Sequence, residues 1–224
     1  VLDGITYVRT NRLVLGAITL DLFAVLLAGT TALLPVYARD VLHIGSAGLG
    51  HLAAAPGVGA GLTALWFSFR PLKQNVGHKM LVSVAVFGLA TMVFGLTAFM
   101  PQQAAILVAL AAMATWGSAD MFSVFVRQSL IQLHTPDDMR GRVSSVSLMT
   151  ISASNELGEA ESGFLAALIG PVAAVILGGA GAIAITLWWS RLFPELRNAR
   201  TFDPPEAHFR PSHEAATGSK ETAS

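Results

Sequence analysis

Five carboxylates lie inside stretches otherwise built from aliphatic and small residues: Asp21, Asp120, Glu156, Glu159 and Glu161. A central acid facing hydrocarbon costs about 2.5 to 3.5 kcal/mol on insertion scales, so such groups must face protein or a water-filled cavity. The chemistry open to them there is proton uptake, cation binding or ion pairing. At 100° per residue, Ser145, Ser152, Glu156, Glu159 and Gly163 share one helix face, and Glu161 points away from Glu156. Glu156 and Glu159 therefore form the first candidate pair for protonation or cation binding. Asn155 is placed to line the same cavity from the side, and Glu156 falls about 20 Å along the helix from Val143, slightly beyond the midplane.

A second stripe carries Trp116, Asp120, Ser123 and Arg127. Its acid and base are two turns apart, about 10 Å, too far for direct contact, so each needs another partner. Two readings follow: an inter-helix ion pair that closes one end of the protein, or a gate that breaks and reforms. Asp21, about 12 Å into its own segment, poses the same choice. His51, near a segment end, suits an interfacial or hydrogen-bonded role. In the loop from Thr135 to Arg142, Thr135 is expected to cap and Pro136 to open a helix, with Asp137 and Asp138 at its positive end. Arg140 and Arg142 then either set topology or act as a latch, pairing with acids of neighbouring helices in one state only.

The elements that must position these groups are six membrane-length apolar spans, at about residues 13–37, 49–69, 80–100, 104–130, 143–169 and 171–192. A bilayer core of about 30 Å needs about 20 apolar helical residues, because every backbone polar group must be satisfied without water. The chain is 53% hydrophobic and 12% charged, with mean hydropathy +0.60, which a soluble core does not explain. The expected fold is an all-α polytopic membrane protein. Gly170-Pro171 makes the only turn between the last two spans. Small residues at 53, 57 and 61, with Pro56 among them, predict close helix packing or a kink on that face. Trp66, Trp188 and Trp189 lie near span ends and read as interface anchors, with Trp116 interior.

Arg9, Arg12, Arg70, Lys73, Lys79, Arg140, Arg142, Arg191, Arg197 and Arg200 all fall on one side of this topology, against Arg39 on the other. That bias puts both ends of the segment in the cytoplasm. Residues 1–12 read as the end of a cytoplasmic linker, and a start at Val1 without methionine reads as an internal position in a longer protein. From Phe193 the composition turns to Pro, Glu, His, Ser and Thr, so 193–224 is expected to be a disordered tail.

Lys plus Arg equals Asp plus Glu at 14 each, so net charge implies no nucleic-acid partner. There is no cysteine, no His-Glu-x-x-His spacing, no glycine-rich dinucleotide loop and no phosphate loop. An enzyme is disfavoured, and no cofactor or metal is expected.

Three stretches together resemble the C-terminal half of a major facilitator superfamily transporter, in the branch that contains the bacterial enterobactin exporter. The first is Asp21-Leu22-Phe23-Ala24-Val25-Leu26-Leu27, continued through 32–42; the second is 135–143, Thr-Pro-Asp-Asp-Met-Arg-Gly-Arg-Val. The third is Asn155-Glu156-Leu157-Gly158-Glu159, then Glu161-Ser162-Gly163, 170–175 and Gly178-Gly179. The resemblance implies a twelve-helix carrier of the bacterial inner membrane whose halves enclose a central site and expose it alternately to each side. Its partners would be the lipid bilayer, an N-terminal six-helix half, a small amphipathic substrate, siderophore-like or drug-like, and a proton that drives export. The substrate or proton pathway would use Asp21, Asp120, Asn155, Glu156 and Glu159, and the gate or latch Arg127, Asp137, Arg140 and Arg142. The alternative is a six-helix accessory subunit or degenerate half-transporter. The loop at 70–79 departs from the superfamily pattern in lacking its acidic residue, and Gly170-Pro171 does not occupy the place of the antiporter Gly-Pro motif.

Overall fold

Asn11 starts the first long helix by accepting the backbone N–H groups of Leu13 and Val14, both at 3.2 Å, on its side-chain oxygen. The computed structural model describes residues 2–70, 72 and 74–202, and every regular element in them is helical. A short α1 (Leu2–Thr10) precedes α2 (Arg12–Leu27). A 3₁₀ turn at Thr30–Leu33, α3 (Leu34–Val36) and a wide turn at Tyr37–Val41 complete the first crossing. Then come α4 (Ser46–Phe69), α5 (Val76–Leu96), α6 (Gln102–Leu133), α7 (Arg140–Ile169), α8 (Pro171–Leu192) and α9 (Pro194–Arg197).

Five of these segments are long and apolar enough to cross a membrane: Arg12–Val41, Ser46–Phe69, Val76–Phe99, Gln102–Leu133 and Pro171–Leu192. The expected fifth span is different. α7 has the length, 30 residues, but Asn155, Glu156, Glu159 and Glu161 interrupt its apolar run. Its path is settled by contacts at its ends. Arg12 donates to the Leu192 carbonyl at 3.2 Å and pairs with Glu195 at 3.2 Å. Gly77 N–H donates to Ala199 O at 3.1 Å, and the Tyr7 hydroxyl donates to the His134 carbonyl. A Cβ on Gly4 would lie 2.9 Å from the Arg142 carbonyl. The starts of α2, α5 and α7 and the ends of α6 and α8 thus share one end of the bundle. At the other end Gln102 donates to Leu42 O at 3.3 Å and Tyr37 to Gly95 O at 2.6 Å. The helices alternate in direction, and α7 traverses the bundle with the rest.

Neighbours pack in the order α4, α6, α5, α8, α2, with α7 against both α2 and α8. Small residues set the closest crossings, as expected where lipid removes any hydrophobic drive between helices. A side chain on Gly59 would collide with the Ala114 carbonyl, and one on Gly117 with that of Pro56. The expected face at 53, 57 and 61 is not the packed one. Gly57 and Gly61 meet nothing within 4 Å, and Ala55 and Gly59 face α6 instead. Trp189 is also buried, donating its indole N–H to Thr19 Oγ1 at 3.1 Å, so it is a packing residue where an interface anchor was expected.

Besides a small cluster of Val8, Val14, Ile18, Ile131 and Val143, two larger apolar clusters fill the bundle. One, at the basic end, holds Leu20, Met80, Val126, Leu130, Phe193 and Leu196; the other centres on Tyr37, Leu52, Phe94 and Met113. Phe193 and Leu196 therefore correct the expected start of the tail: residues 193–202 fold back onto the bundle, and 203–224 lie outside the described residues. Lys73 lies outside them as well.

Candidate central polar cavity

The first crossing breaks in its middle. Ala28 leaves helical geometry, Thr30 N–H turns back to Ala28 O at 2.7 Å, and Gly29 sits so tightly on the Gly158 carbonyl of α7 that any side chain there would collide. Across the same contact a Cβ on Gly158 would come within 2.8 Å of Val25 O. Irregular backbone at membrane depth is tolerated where it is buried or lines a cavity. Here it frees Thr31, whose hydroxyl donates to Glu159 Oε1 at 3.1 Å.

Beside this break lies a cavity of about 300 Å³ lined by Val25, Ala28, Gly29, Thr31, Phe87, Trp116, Asp120, Asn155 and Glu159. Four elements supply it: α2 with its broken continuation, α5, α6 and α7. Phe87 and Trp116 form one wall, with ring centroids 4.9 Å apart. The Trp116 indole Nε1 is buried without a hydrogen-bond partner. Among the described residues, Asp120 makes no hydrogen bond or ion pair. A second, nearly water-sized void of about 10 Å³ adjoins the first through Val25, Phe87 and Asp120, and is also lined by Asp21 and Ser123. Ser123 Oγ is buried and unpartnered as well.

On the basic side of these voids Arg127 forms an ion pair with Asp21. Arg127 is 1% exposed and Asp21 7%, so this pair joins α2 to α6 in the interior. It answers the spacing argument: Arg127 takes its partner from another helix, and Asp120, two turns away, is left facing the cavity.

The structure therefore brings together Asp21, Asp120, Asn155, Glu159 and Arg127 and leaves Glu156 out. The stripe that α7 buries is Ser147, Ser154, Gly158 and Ser162. With Gly158 against α2, Asn155 and Glu159, one turn apart, flank the cavity, and Glu156 is exposed on the far side. Glu161 tucks Oε2 into a buried position without a donor, outside the cavity lining. Thr31 and Phe87 were missed by sequence reasoning. The Gly29-Thr30-Thr31 interruption of an apolar run is a signal for the first; one phenylalanine in an apolar span is no signal for the second.

The other three residues of the expected latch, Asp137, Arg140 and Arg142, lie apart from the cavity, at the basic end. Arg140 pairs with Asp137 at 2.8 Å and donates Nε–H to Gln132 O at 2.9 Å. Thr135 caps the end of α6, donating to Ile131 O at 2.5 Å, and does not open a following helix. Pro136 instead begins a turn, closed by Met139 and Arg140 N–H to its carbonyl. Arg142 is exposed at the start of α7.

The family model described as transmembrane secretion effector matches residues 1–216. The chain belongs to this family of major facilitator superfamily transporters. Relatives include an enterobactin exporter of Citrobacter koseri, 32% identical over 73% of this chain and 37% of the relative. Those of Salmonella typhimurium and Escherichia coli O1:K1 are 31% and 27% identical, over 72% and 91% of this chain and 38% and 47% of theirs. The chain thus spans less than half the length of each of these relatives. No solved structure matches it. Membership in this family, together with the apolar helices, makes the chain a multi-pass membrane protein of the bacterial inner membrane.

Proposed function

We propose that these helices form the C-terminal half of a twelve-helix secondary carrier that exports small amphipathic molecules by alternating access. The observation that carries the reading is the cavity enclosed by α2, α5, α6 and α7, with Asp120, Asn155 and Glu159 on its wall. Substrate would bind there, between this half and an N-terminal half laid against the exposed polar face of α7. Glu156 belongs to that face, since an exposed carboxylate at this depth cannot rest against lipid. The relatives' printed names favour a siderophore-like cargo.

Coupling would come from protons taken up by Glu159 and Asp120, because a proton changes which cavity is stable only through differential affinity between states. The Asp21–Arg127 pair would close the basic end, which the lysine and arginine bias puts in the cytoplasm together with both ends of this segment. The test is accumulation of siderophores and dyes in cells expressing the full-length transporter, with and without an uncoupler. Uncoupler-sensitive efflux that is lost in Glu159→Gln supports the reading. Efflux that persists after uncoupling overturns proton coupling, and no efflux by correctly inserted protein overturns export in favour of an accessory role.

A further inference from the structure

The cavity has a definite chemical polarity. Two carboxylates line it, Asp120 and Glu159, and no lysine, arginine or histidine does so among the described residues. The nearby guanidinium of Arg127 is engaged by Asp21 and does not line the cavity, so among the described residues the other two acids have no counter-charge. Glu159 receives one hydrogen bond, from Thr31 at 3.1 Å, and Asp120 receives none. Isolated acids at this depth are costly unless a positive group or a proton meets them. The Phe87 and Trp116 rings, 4.9 Å apart, line the same cavity, Trp116 one turn from Asp120 on α6, and aromatic faces attract organic cations, with Trp the strongest. The Trp116 indole N–H, buried without an acceptor, is left for an oxygen of whatever occupies the cavity, because a buried donor costs free energy until it is paired.

We propose that the central cavity selects amphipathic organic cations, the positive group held between Asp120 and Glu159 and an apolar or aromatic body laid on Phe87 and Trp116. An ether, carbonyl or hydroxyl oxygen on the cargo would accept from Trp116. This names the substrate class of the export site and rests on the reading that the cavity is that site. Asn155, with both an amide donor and an acceptor, tolerates varied cargo beside the charge, whereas the two acids repel anions. The selectivity is for charge and shape class, not for one compound.

The experiment uses two ions of the same shape and opposite sign, tetraphenylphosphonium and tetraphenylborate, in equilibrium binding to the purified full-length transporter at pH 8. The cation is expected to bind saturably, and the anion to bind at least about tenfold more weakly, the difference a single opposed or favourable buried charge readily makes. Asp120→Asn and Glu159→Gln should each weaken the cation by about tenfold, and Trp116→Phe should weaken it less while keeping the preference for positive charge. Equal binding of the two ions by the unaltered protein overturns the inference without depending on any variant's folding. So does undiminished cation binding in both acid variants. Cargo export is scored separately: gradient-driven efflux without cation preference leaves the export reading standing and sinks this one. Cation binding that follows the two acids, in a protein that drives no efflux, does the reverse.

Discussion

Arg127 and Asp21 are the residues on which the interior most depends. An ion pair at 1% and 7% exposure has surrendered its hydration, and its mutual attraction roughly offsets that loss. Removing one partner leaves the other charged and alone, at a cost of about 3–5 kcal/mol. Arg127→Met should therefore lower the melting temperature of the full-length transporter steeply, and Asp21→Asn in the same background should recover much of the loss. A double-mutant cycle in thermal melts checks this; additive losses would show that the pair is not coupled. The pair was half legible. The two-turn spacing of Asp120 and Arg127 excluded their contact, but nothing in a linear pattern names which of several acids on other helices comes within reach. Glu156 lies outside the cavity lining of this chain for the same reason in reverse: 100° periodicity placed it with Glu159, and the Gly158 contact with α2 decided the rotation of α7 about its axis.

Glycine contacts govern the arrangement of the elements. The α4–α6 crossing is set by Gly59 and Gly117, each pressed onto backbone of the other helix, while Gly57, two residues before Gly59 on α4, faces open space. Gly59→Leu should push α4 off α6 and lower thermal stability by an amount typical of overpacking, about 1–3 kcal/mol or more. Gly57→Leu, on the open side, should leave stability unchanged or slightly raised through better helix propensity. Melting curves of the two variants in one detergent test the assignment, and equal losses would refute it. The membrane-length elements were readable from hydropathy, because an apolar run of that length has few other uses. Which small-residue stripe packs was not, since α4 carries glycine and alanine on nearly every face: Ala53, Ala54, Ala55, Gly57, Gly59, Ala60 and Gly61. The packing of the first residues of the expected tail was not legible because composition from Pro194 onward is polar, yet Phe193 and Leu196 find the apolar basic-end cluster through one short turn of helix.

For the whole molecule the decisive quantity is the parity of crossings. Among the described residues five segments are apolar enough to be recognised as spans, and five crossings would put the two ends of the bundle on opposite sides of the membrane. Arg12 touching both Leu192 O and Glu195 at 3.2 Å requires the start of α2 and the end of α8 to share a side, so α7 must cross despite its acids. A polar helix crosses stably only when protein or water covers its polar face, which links the topology to the cavity: two of the residues that interrupt the apolar run of α7, Asn155 and Glu159, line it. Because the chain has no cysteine, single cysteines can report its topology. With an impermeant maleimide, Asp138→Cys and Arg197→Cys should label only in inside-out vesicles, and Ser46→Cys only from the periplasmic face of intact spheroplasts. Labelling of positions 138 and 197 from opposite sides would mean that α7 does not cross, and would remove the wall on which Asn155 and Glu159 stand. Labelling of both from the periplasm would keep the bundle and invert it, contrary to the arginines gathered at that end.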